Sequence, residues 1–247
     1  MIIGFCGAGN MAAAMARGLR DDVDRLLFTD SGSGRAADLA AALGGEAVGT
    51  NRELAESADV VVLAVKPAKL AEAAAEMQGA KAVVSLLGAT SLEKVREAFP
   101  ASEVVRVVPN VGVEVRRGVL CMAGVIDAEL RALLEGLGHL VELPDSRFDA
   151  ATAVMGCAPA YLALAMEAIA EAGAAEGLAP ELAHELVVET AAGTAALLRD
   201  RDPAEVRRAV ASPGGSTEAG LEALDREGAR EAFAAAVKAS LERMRGR

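Results

Sequence analysis

The segment Ser212-Pro-Gly-Gly-Ser-Thr217 sets two glycines and three hydroxyls against the start of an amphipathic helix. Gly214 and Gly215 expose backbone N–H groups, and a helix opening at Ser216 or Thr217 adds its own first-turn N–H groups. Such a loop can hold a carboxylate with no cationic side chain. Thr217 supplies a hydroxyl able to donate a hydrogen bond. The same residues also make a plain helix cap preceded by turn residues, and both readings stand on the chemistry alone. A hydroxyl is a feeble acid, so the reaction it assists must need little acid–base help. Hydride addition to a C=N bond that is already protonated meets that condition.

A second constellation opens the chain. Ile2-Ile-Gly-Phe-Cys6 reads as a strand, Gly7-x-Gly9-x-x-Ala12 as the turn after it, and Asn10 to Leu19 as a helix. Glycines in that pattern allow a tight turn and close approach of the backbone to a pyrophosphate held at the helix N-terminus. An acid, Asp30, ends the second strand 21 residues after Gly9. There the signals conflict. Asp30 suits a ribose 2′-hydroxyl, as in NAD sites, whereas Ser31-Gly-Ser-Gly-Arg35 offers hydroxyls, N–H groups and a guanidinium to a 2′-phosphate. The reading favours NADP(H) and keeps NAD(H) as the alternative. Lys66, which ends the apolar run Val60 to Val65, lies where strand carboxyl ends meet a ligand, with Pro67 stiffening the entry to the next helix. Asn51 reads equally as a helix N-cap or a cofactor contact.

Other chemistries lose ground by what is absent. Residues 151–198 contain no Lys or Arg, and the only lysine from Gly118 onward is Lys238. A 3-hydroxyacid dehydrogenase of similar architecture needs a lysine there. His139 in Leu137-Gly-His-Leu-Val-Glu142 and His184 in Pro180-Glu-Leu-Ala-His-Glu185 have no suitable acidic dyad context and read as structural, so a histidine base is not supported. Cys6, Cys121 and Cys157 form no paired motif, so neither a zinc site nor a disulfide framework is expected; Cys157 reads as a small packing residue. No metal is expected. With 36 acidic against 25 basic residues and net charge −11, a phosphate backbone or anionic lipid surface is repelled. No nucleic-acid or membrane partner is expected, and runs such as Val60 to Val65 fall short of a membrane span. A reducing cytoplasm fits the unpaired cysteines.

The elements that must position these residues divide the chain near Asp145. Residues 1–145 alternate short β-branched runs (Ile2–Cys6, Leu26–Thr29, Val60–Val65, Ala82–Leu87, Val104–Val108, Val119–Gly124) with helical patterns, the signature of βαβ units on a doubly wound parallel sheet. Residues 146–247 read as alanine-rich helices punctuated by Gly and Pro. The stretch around Tyr161, the only tyrosine, has few polar positions to turn toward water, and a helix apolar all round wants burial by another subunit. A homodimer is expected. Together these features describe a nicotinamide-dependent reductase of a small anionic cyclic imine.

The blocks Gly7-Ala-Gly-Asn-Met-Ala12, Ala64-Val-Lys-Pro67, Val108-Pro-Asn110, Pro159-Ala-Tyr161 and, above all, Val210-Ala-Ser-Pro-Gly-Gly-Ser-Thr-Glu-Ala-Gly-Leu-Glu-Ala-Leu224 fall in one family's order. In them the chain resembles the Δ1-pyrroline-5-carboxylate reductases over essentially its whole length. The resemblance implies a Rossmann-type α/β domain, and an all-α C-terminal domain that interlocks with its twin into a dimer, in some members assembled further into a decamer. It implies active sites built from the cofactor domain of one subunit and the Ser212–Thr217 loop of another, and reduction of the cyclic imine to L-proline. It implies that Gly7, Gly9, Asn10 and Met11 line the pyrophosphate and that Asn51, Ala64, Val65, Lys66 and Pro67 flank the cofactor. Ser212, Gly214, Gly215 and Thr217 would hold the substrate carboxylate and imine nitrogen, with Thr217 the donor. Three blocks depart from the family's usual text, which is close to SIAAG, MPNTP and GSGPAY: here they read Ser85-Leu-Leu-Gly-Ala-Thr-Ser91, Val108-Pro-Asn-Val-Gly-Val113 and Gly156-Cys-Ala-Pro-Ala-Tyr161. Leu87, Val111 and Gly112 are therefore expected to reshape the pocket. A paralogue acting on another cyclic imine, and a non-catalytic NADP-binding dimer, are the competing functions.

Overall fold

The computed structural model describes residues 1–246. Strand β1 (Ile2–Cys6), helix α1 (Asn10–Leu19), β2 (Arg25–Thr29), α2 (Arg35–Leu43), β3 (Glu46–Ala47), α3 (Asn51–Ser57), β4 (Val60–Leu63), α4 (Leu70–Glu76), β5 (Ala82–Ser85), α5 (Leu92–Ala98) and β6 (Glu103–Pro109) follow as βα units. They continue into β7 (Gly118–Ala123), α6 (Ala128–Glu135) and β8 (Gly138–Glu142), giving one sheet of order β3-β2-β1-β4-β5-β6-β7-β8.

Alternation along each buried strand sorts the core onto two faces. Val60, Val62 and Val84 join α1, α2 and α6 on one face, where Phe5 stacks on Phe28 at 5.5 Å. Val61, Leu63 and Val83 join α3, α4 and α5 on the other. Side-chain caps fix several helix starts: Thr50 accepts from Glu53 N–H, Ser91 from Lys94 N–H and Asp127 from Leu130 N–H.

The sheet is not wholly parallel as its runs suggested. β6 and β7 pair antiparallel, and β8 runs parallel to β7. Only a 3-10 turn, Val111–Val115, joins β6 to β7, and a parallel return needs a crossover of a dozen or more residues. Asn110 shapes that turn: its Oδ1 accepts from Gly112 N–H (3.2 Å) and Val119 N–H (3.1 Å), and its Nδ2 donates to the Met155 carbonyl (3.1 Å).

The contacts divide the chain into two compact units, residues 1–157 with the stretch from Leu241 onward, and Ala158–Ser240. All-helical structure does begin near 145, with a 3-10 turn at Asp145–Arg147, α7 (Phe148–Ala151) and a π-helical turn at Thr152–Gly156 closed by Cys157 N–H on the Thr152 carbonyl. Those residues nevertheless belong to the first unit. Phe148 is buried in its core, and Arg106, 5% exposed, lies over the Phe148 ring at 4.5 Å while its Nη1 donates to Asp145 Oδ1 at 2.8 Å.

The second unit holds α8 (Ala158–Ala175), α9 (Pro180–Leu197), α10 (Pro203–Val210), α11 (Ser216–Arg226) and much of α12 (Ala229–Arg245). Small residues let α8 and α9 approach: a Cβ on Gly173 would touch Leu178 and Ala183. Tyr161 Oη bonds Ser240 Oγ at 2.5 Å and tethers α8 to α12. Only Ala170 and Ala183 are buried among residues 158–240 of the single chain. The expectation that no apolar run reaches spanning length needs correction. The helical run Asp145–Ala175 is long and apolar enough to cross a membrane by length and composition alone. Alanine, not β-branched residues, carries its hydropathy, which is why strand-like runs gave no sign of it.

Candidate functional site

In open α/β sheets ligands bind beyond the strand carboxyl ends where strand order reverses, here between β1 and β4. Gly7 leaves β1 with φ +100°, and its N–H donates to the Thr29 carbonyl at 3.0 Å. A Cβ there would lie 2.6 Å from the Ala64 carbonyl oxygen, so glycine is required both by conformation and by the close approach of Ala64. Gly9 differs: it is the N-cap of α1, has no side-chain cap, and a Cβ on it would meet no atom within 4 Å. That cradle of open space before a bare helix N-terminus is what a pyrophosphate fills. Asn10 and Met11 form the first turn of α1, and Ala12, at the third fingerprint position, is fully buried where the helix packs on the sheet. The residues present fit a dinucleotide.

Across the switch point, Ala64 and Val65 are half-buried, and Lys66 is exposed ahead of the 3-10 turn Pro67–Lys69 that leads into α4. Asn51 is not the α3 cap; Thr50 is. Asn51 opens the helix with its amide locked: Oδ1 accepts from Thr29 Oγ1 (2.7 Å) and Cys6 Sγ (3.3 Å), and Nδ2 donates to Glu76 Oε2 (2.6 Å). Burial pushes the Cys6 thiol up to about 11 despite its hydrogen-bonding with Thr29. The network ties the ends of β1 and β2 to α3 and α4, beneath the Gly7 turn.

Asp30 is taken up by its own loop. Its Oδ1 accepts from Gly32 N–H (2.7 Å) and Ser33 N–H (3.1 Å), and its Oδ2 accepts from Ala36 N–H (2.8 Å) and Ser33 Oγ (3.0 Å). The Ala36 bond foremost, helped by the other three against partial burial, holds the carboxyl below the usual aspartate range. Ser31 and Arg35 are exposed on that loop.

In the helical unit, Gly215 is the N-cap of α11 and has no side-chain cap, while Ser216 and Thr217 form the first turn, both exposed. The two glycine N–H groups are already engaged: Gly214 N–H donates to Glu218 Oε2 at 2.6 Å and Gly215 N–H to the Ser212 carbonyl at 2.9 Å. The donors that helix geometry leaves unpaired are those of the first turn, so an anion at this loop would meet the N–H groups at Ser216 and Thr217 and not the two glycine N–H groups that the sequence pattern offered. Glu218 escaped the sequence reading, although an acid at the third helical position is the capping-box spacing. Leu87 does not face a pocket; it is 1% exposed in the core with Leu92 and Phe148. Val111, by contrast, is 52% exposed. A groove of about 670 Å³ lies at the opposite, amino ends of the strands beside Asp59, Lys81 and Glu103. Among the described residues no three His, Cys, Asp or Glu side chains gather as a metal set.

Residues 145–246 match the family model for pyrroline-5-carboxylate reductase dimerisation, and residues 2–88 that for coenzyme F420-dependent NADP oxidoreductases. A pyrroline-5-carboxylate reductase of Corynebacterium melassecola is 32% identical, the match covering 98% of this chain and 96% of that one. The 1-pyrroline-5-carboxylate reductase structure from Streptococcus pyogenes superposes with a TM-score of 0.90 at 26% identity over 100% of this chain and 99% of that one. The NADP-bound pyrroline carboxylate reductase of Plasmodium falciparum does so with a TM-score of 0.88 at 25% identity over 100% and 97%. A fingerprint turn open at Gly9, an uncapped start to α11 behind Gly215 and likeness along the whole chain agree, and the chain belongs to the pyrroline-5-carboxylate reductase family.

Proposed function

We propose that the protein reduces the C=N bond of L-Δ1-pyrroline-5-carboxylate to L-proline with NADPH as the preferred hydride donor. The observation that carries this reading is the coexistence in one chain of the open turn at Gly9 and the uncapped start of α11 behind Gly215. The reduced nicotinamide supplies the hydride when bound. Everything else falls to the chain. The first-turn N–H groups at Ser216 and Thr217, with Ser212, Gly214 and Gly215 shaping the loop, hold the substrate carboxylate. Thr217 donates a hydrogen bond to the imine nitrogen, so that the carbon that receives hydride is electrophilic. As hydride adds to the carbon, the nitrogen takes its proton from the Thr217 hydroxyl, which regains one from solvent, and the C=N bond becomes the secondary amine with no covalent intermediate. Gly7, Gly9, Asn10 and Met11 position the pyrophosphate; Asn51, Ala64, Val65, Lys66 and Pro67 flank the cofactor; Ser31 and Arg35 favour a 2′-phosphate.

The exposed apolar helices of the second unit and the match to a dimerisation domain support a homodimer in which one subunit's Ser212–Thr217 loop serves the other's cofactor domain. The three unpaired cysteines are consistent with a cytoplasmic enzyme. A second reading, reduction of a six-membered cyclic imine carboxylate, rests on Val111 and Gly112 alone, since Leu87 lies in the core.

Mixing the purified protein with L-Δ1-pyrroline-5-carboxylate and either NADPH or NADH, and following the reduced nicotinamide absorbance, tests the proposal. Rapid oxidation with formation of proline is expected. Faster turnover of the six-membered imine favours the second reading, and cofactor binding without oxidation by either imine defeats both.

A further inference from the structure

By sequence position Asp30 is the acid that would bind a ribose 2′-hydroxyl. A carboxylate has about four lone-pair sites, and Asp30 has four donors on it: Gly32 N–H, Ser33 N–H, Ser33 Oγ and Ala36 N–H. No acceptor site remains for a ribose diol unless the loop unfolds. The loop is built around that carboxylate. Gly32 and Gly34 take φ +88° and +81°, which turns the chain back over Asp30. The helix that follows begins with no cap from its own N-cap residue, Gly34, so Asp30 satisfies its Ala36 N–H from outside. Residues 31–35 are left exposed around it. Arg35 takes no part in the four bonds, so its guanidinium is not neutralised by this acid.

We infer that Asp30 is a positioning residue for NADPH selection: it folds the Ser31–Arg35 loop into a receptor for the 2′-phosphate instead of binding the ribose itself. Two opposing effects decide the sign. A negative charge near a 2′-phosphate repels it, which would make Asp30 a selector for NADH. Here three N–H groups and one O–H compensate that charge, and the start of α2 adds its positive dipole end. Without the carboxylate, a loop with two glycines in left-handed conformations loses the bonds that restrict it, and ordering it again costs binding free energy. The organising effect wins.

The inference rests on the reductase reading for the identity of the cofactor, so its test reads binding and not turnover. Dissociation constants for NADPH and NADH are measured from nucleotide fluorescence in a chain that has no tryptophan, for wild type, Asp30→Asn and Asp30→Ala, with thermal unfolding as a check on folding. Asp30→Asn keeps one acceptor oxygen for Gly32 and Ser33 but loses the acceptor for Ala36 N–H. The expected ratio of NADH to NADPH dissociation constants falls in the order wild type, Asp30→Asn, Asp30→Ala. Loss of charge-assisted bonds corresponds to about a tenfold weaker NADPH affinity in the alanine variant, with NADH changed much less. Tighter NADPH binding in both variants, or a selective loss of NADH, overturns the inference by making Asp30 a ribose ligand. Equal weakening of both nucleotides also overturns it. Failure of the wild type to reduce either imine would sink the reductase reading and leave this comparison standing.

Discussion

The carbonyl oxygen of Ala64 lies 2.6 Å from where Gly7 would carry a Cβ, whereas the same atom on Gly9 would meet nothing within 4 Å. The two glycines of one fingerprint therefore answer to different constraints. Gly7→Ala must strain a φ of +100° and displace the end of β4, a cost of about 1–3 kcal/mol for the backbone alone. Gly9→Ala leaves the fold untouched and fills the pyrophosphate space. Thermal unfolding should fall clearly for the first variant and stay near wild type for the second. NADPH affinity should drop about tenfold or more in the second, the equivalent of 1.4 kcal/mol. A stable Gly9→Ala protein with wild-type affinity would remove the cradle from the site.

That contrast also marks what the sequence could disclose. β1, β2, α1 and α5 stand where period and turn residues put them, because a buried parallel strand is a short apolar run and its helix follows a glycine or a cap. β8 was missed: His139-Leu-Val-Glu142 is half-exposed at the sheet's edge and has no clear period. The direction of β7 was missed because it depends on the length of a connection and not on strand composition. Within the site, residue types were legible and partners were not. Nothing in the text of residues 30–36 says that Asp30 bonds forward to Ala36, that Asn51 meets Glu76, or that Leu87 turns inward. Those follow from packing.

Thr217 is exposed in the first turn of α11, within the helical unit. If it donates to the imine nitrogen, Thr217→Ala lowers kcat about a hundredfold and leaves the NADPH dissociation constant within about twofold of wild type. Thr217→Ser, which keeps the hydroxyl, restores most of the turnover. Parallel losses in turnover and cofactor affinity would show that the substitution disturbs the site as a whole.

Arg106 and Asp145 form a largely buried pair, with side chains 6% and 29% exposed, and Arg106 Nε has no partner. Removing one charge from such a pair costs more than the pair contributes, because the other is left uncompensated. Asp145→Ala should destabilise the protein by about 2–3 kcal/mol in urea unfolding, the partial exposure of Asp145 trimming the larger cost of full burial. It also removes the acceptor of Leu92 N–H. The double replacement Arg106→Met with Asp145→Ala should recover part of that loss. A double variant no better than the single would place the stabilisation in the Leu92 bond or the Phe148 contact.

Cys6 titrates near 11 in the folded chain against an ordinary value of 9.0, chiefly because burial penalises the thiolate. A group whose folded pKa is raised contributes stability that is fully present below the unfolded value and is lost as pH climbs to the folded one. Unfolding free energy should therefore decline between about pH 9 and pH 11, by an amount of the order of 2 kcal/mol from this residue. Cys6→Ala should flatten that decline while leaving the curve below pH 8 parallel to wild type. Alkylation at pH 8 should reach Cys157, which is half-exposed, long before Cys6.

The last prediction concerns what completes the helical unit. Between residues 158 and 240 only Ala170 and Ala183 are buried in the single chain, while Leu162, Leu164 and Ile169 on α8 are 61%, 65% and 61% exposed. Burying one such side chain is worth about 1.5–3 kcal/mol, so five helices without a core of their own gain most of their stability from a second copy. The angular spread decides how the copy must sit. Leu162 and Ile169 lie two turns apart on one face of α8, and Leu164 lies on roughly the opposite face, so cover is needed on both sides and simple side-by-side packing falls short. Interleaving of the helices from two chains supplies it. Sedimentation at micromolar concentration should give a dimer or a multiple of one, with a melting temperature that rises with protein concentration. Leu164→Glu and Ile169→Glu should each weaken association, and the pair together should give a monomer whose helical unit melts separately and earlier. A wild-type protein that sediments as a single monomer would defeat this account of the second unit and, with it, the supply of the Ser212–Thr217 loop from one subunit to the other.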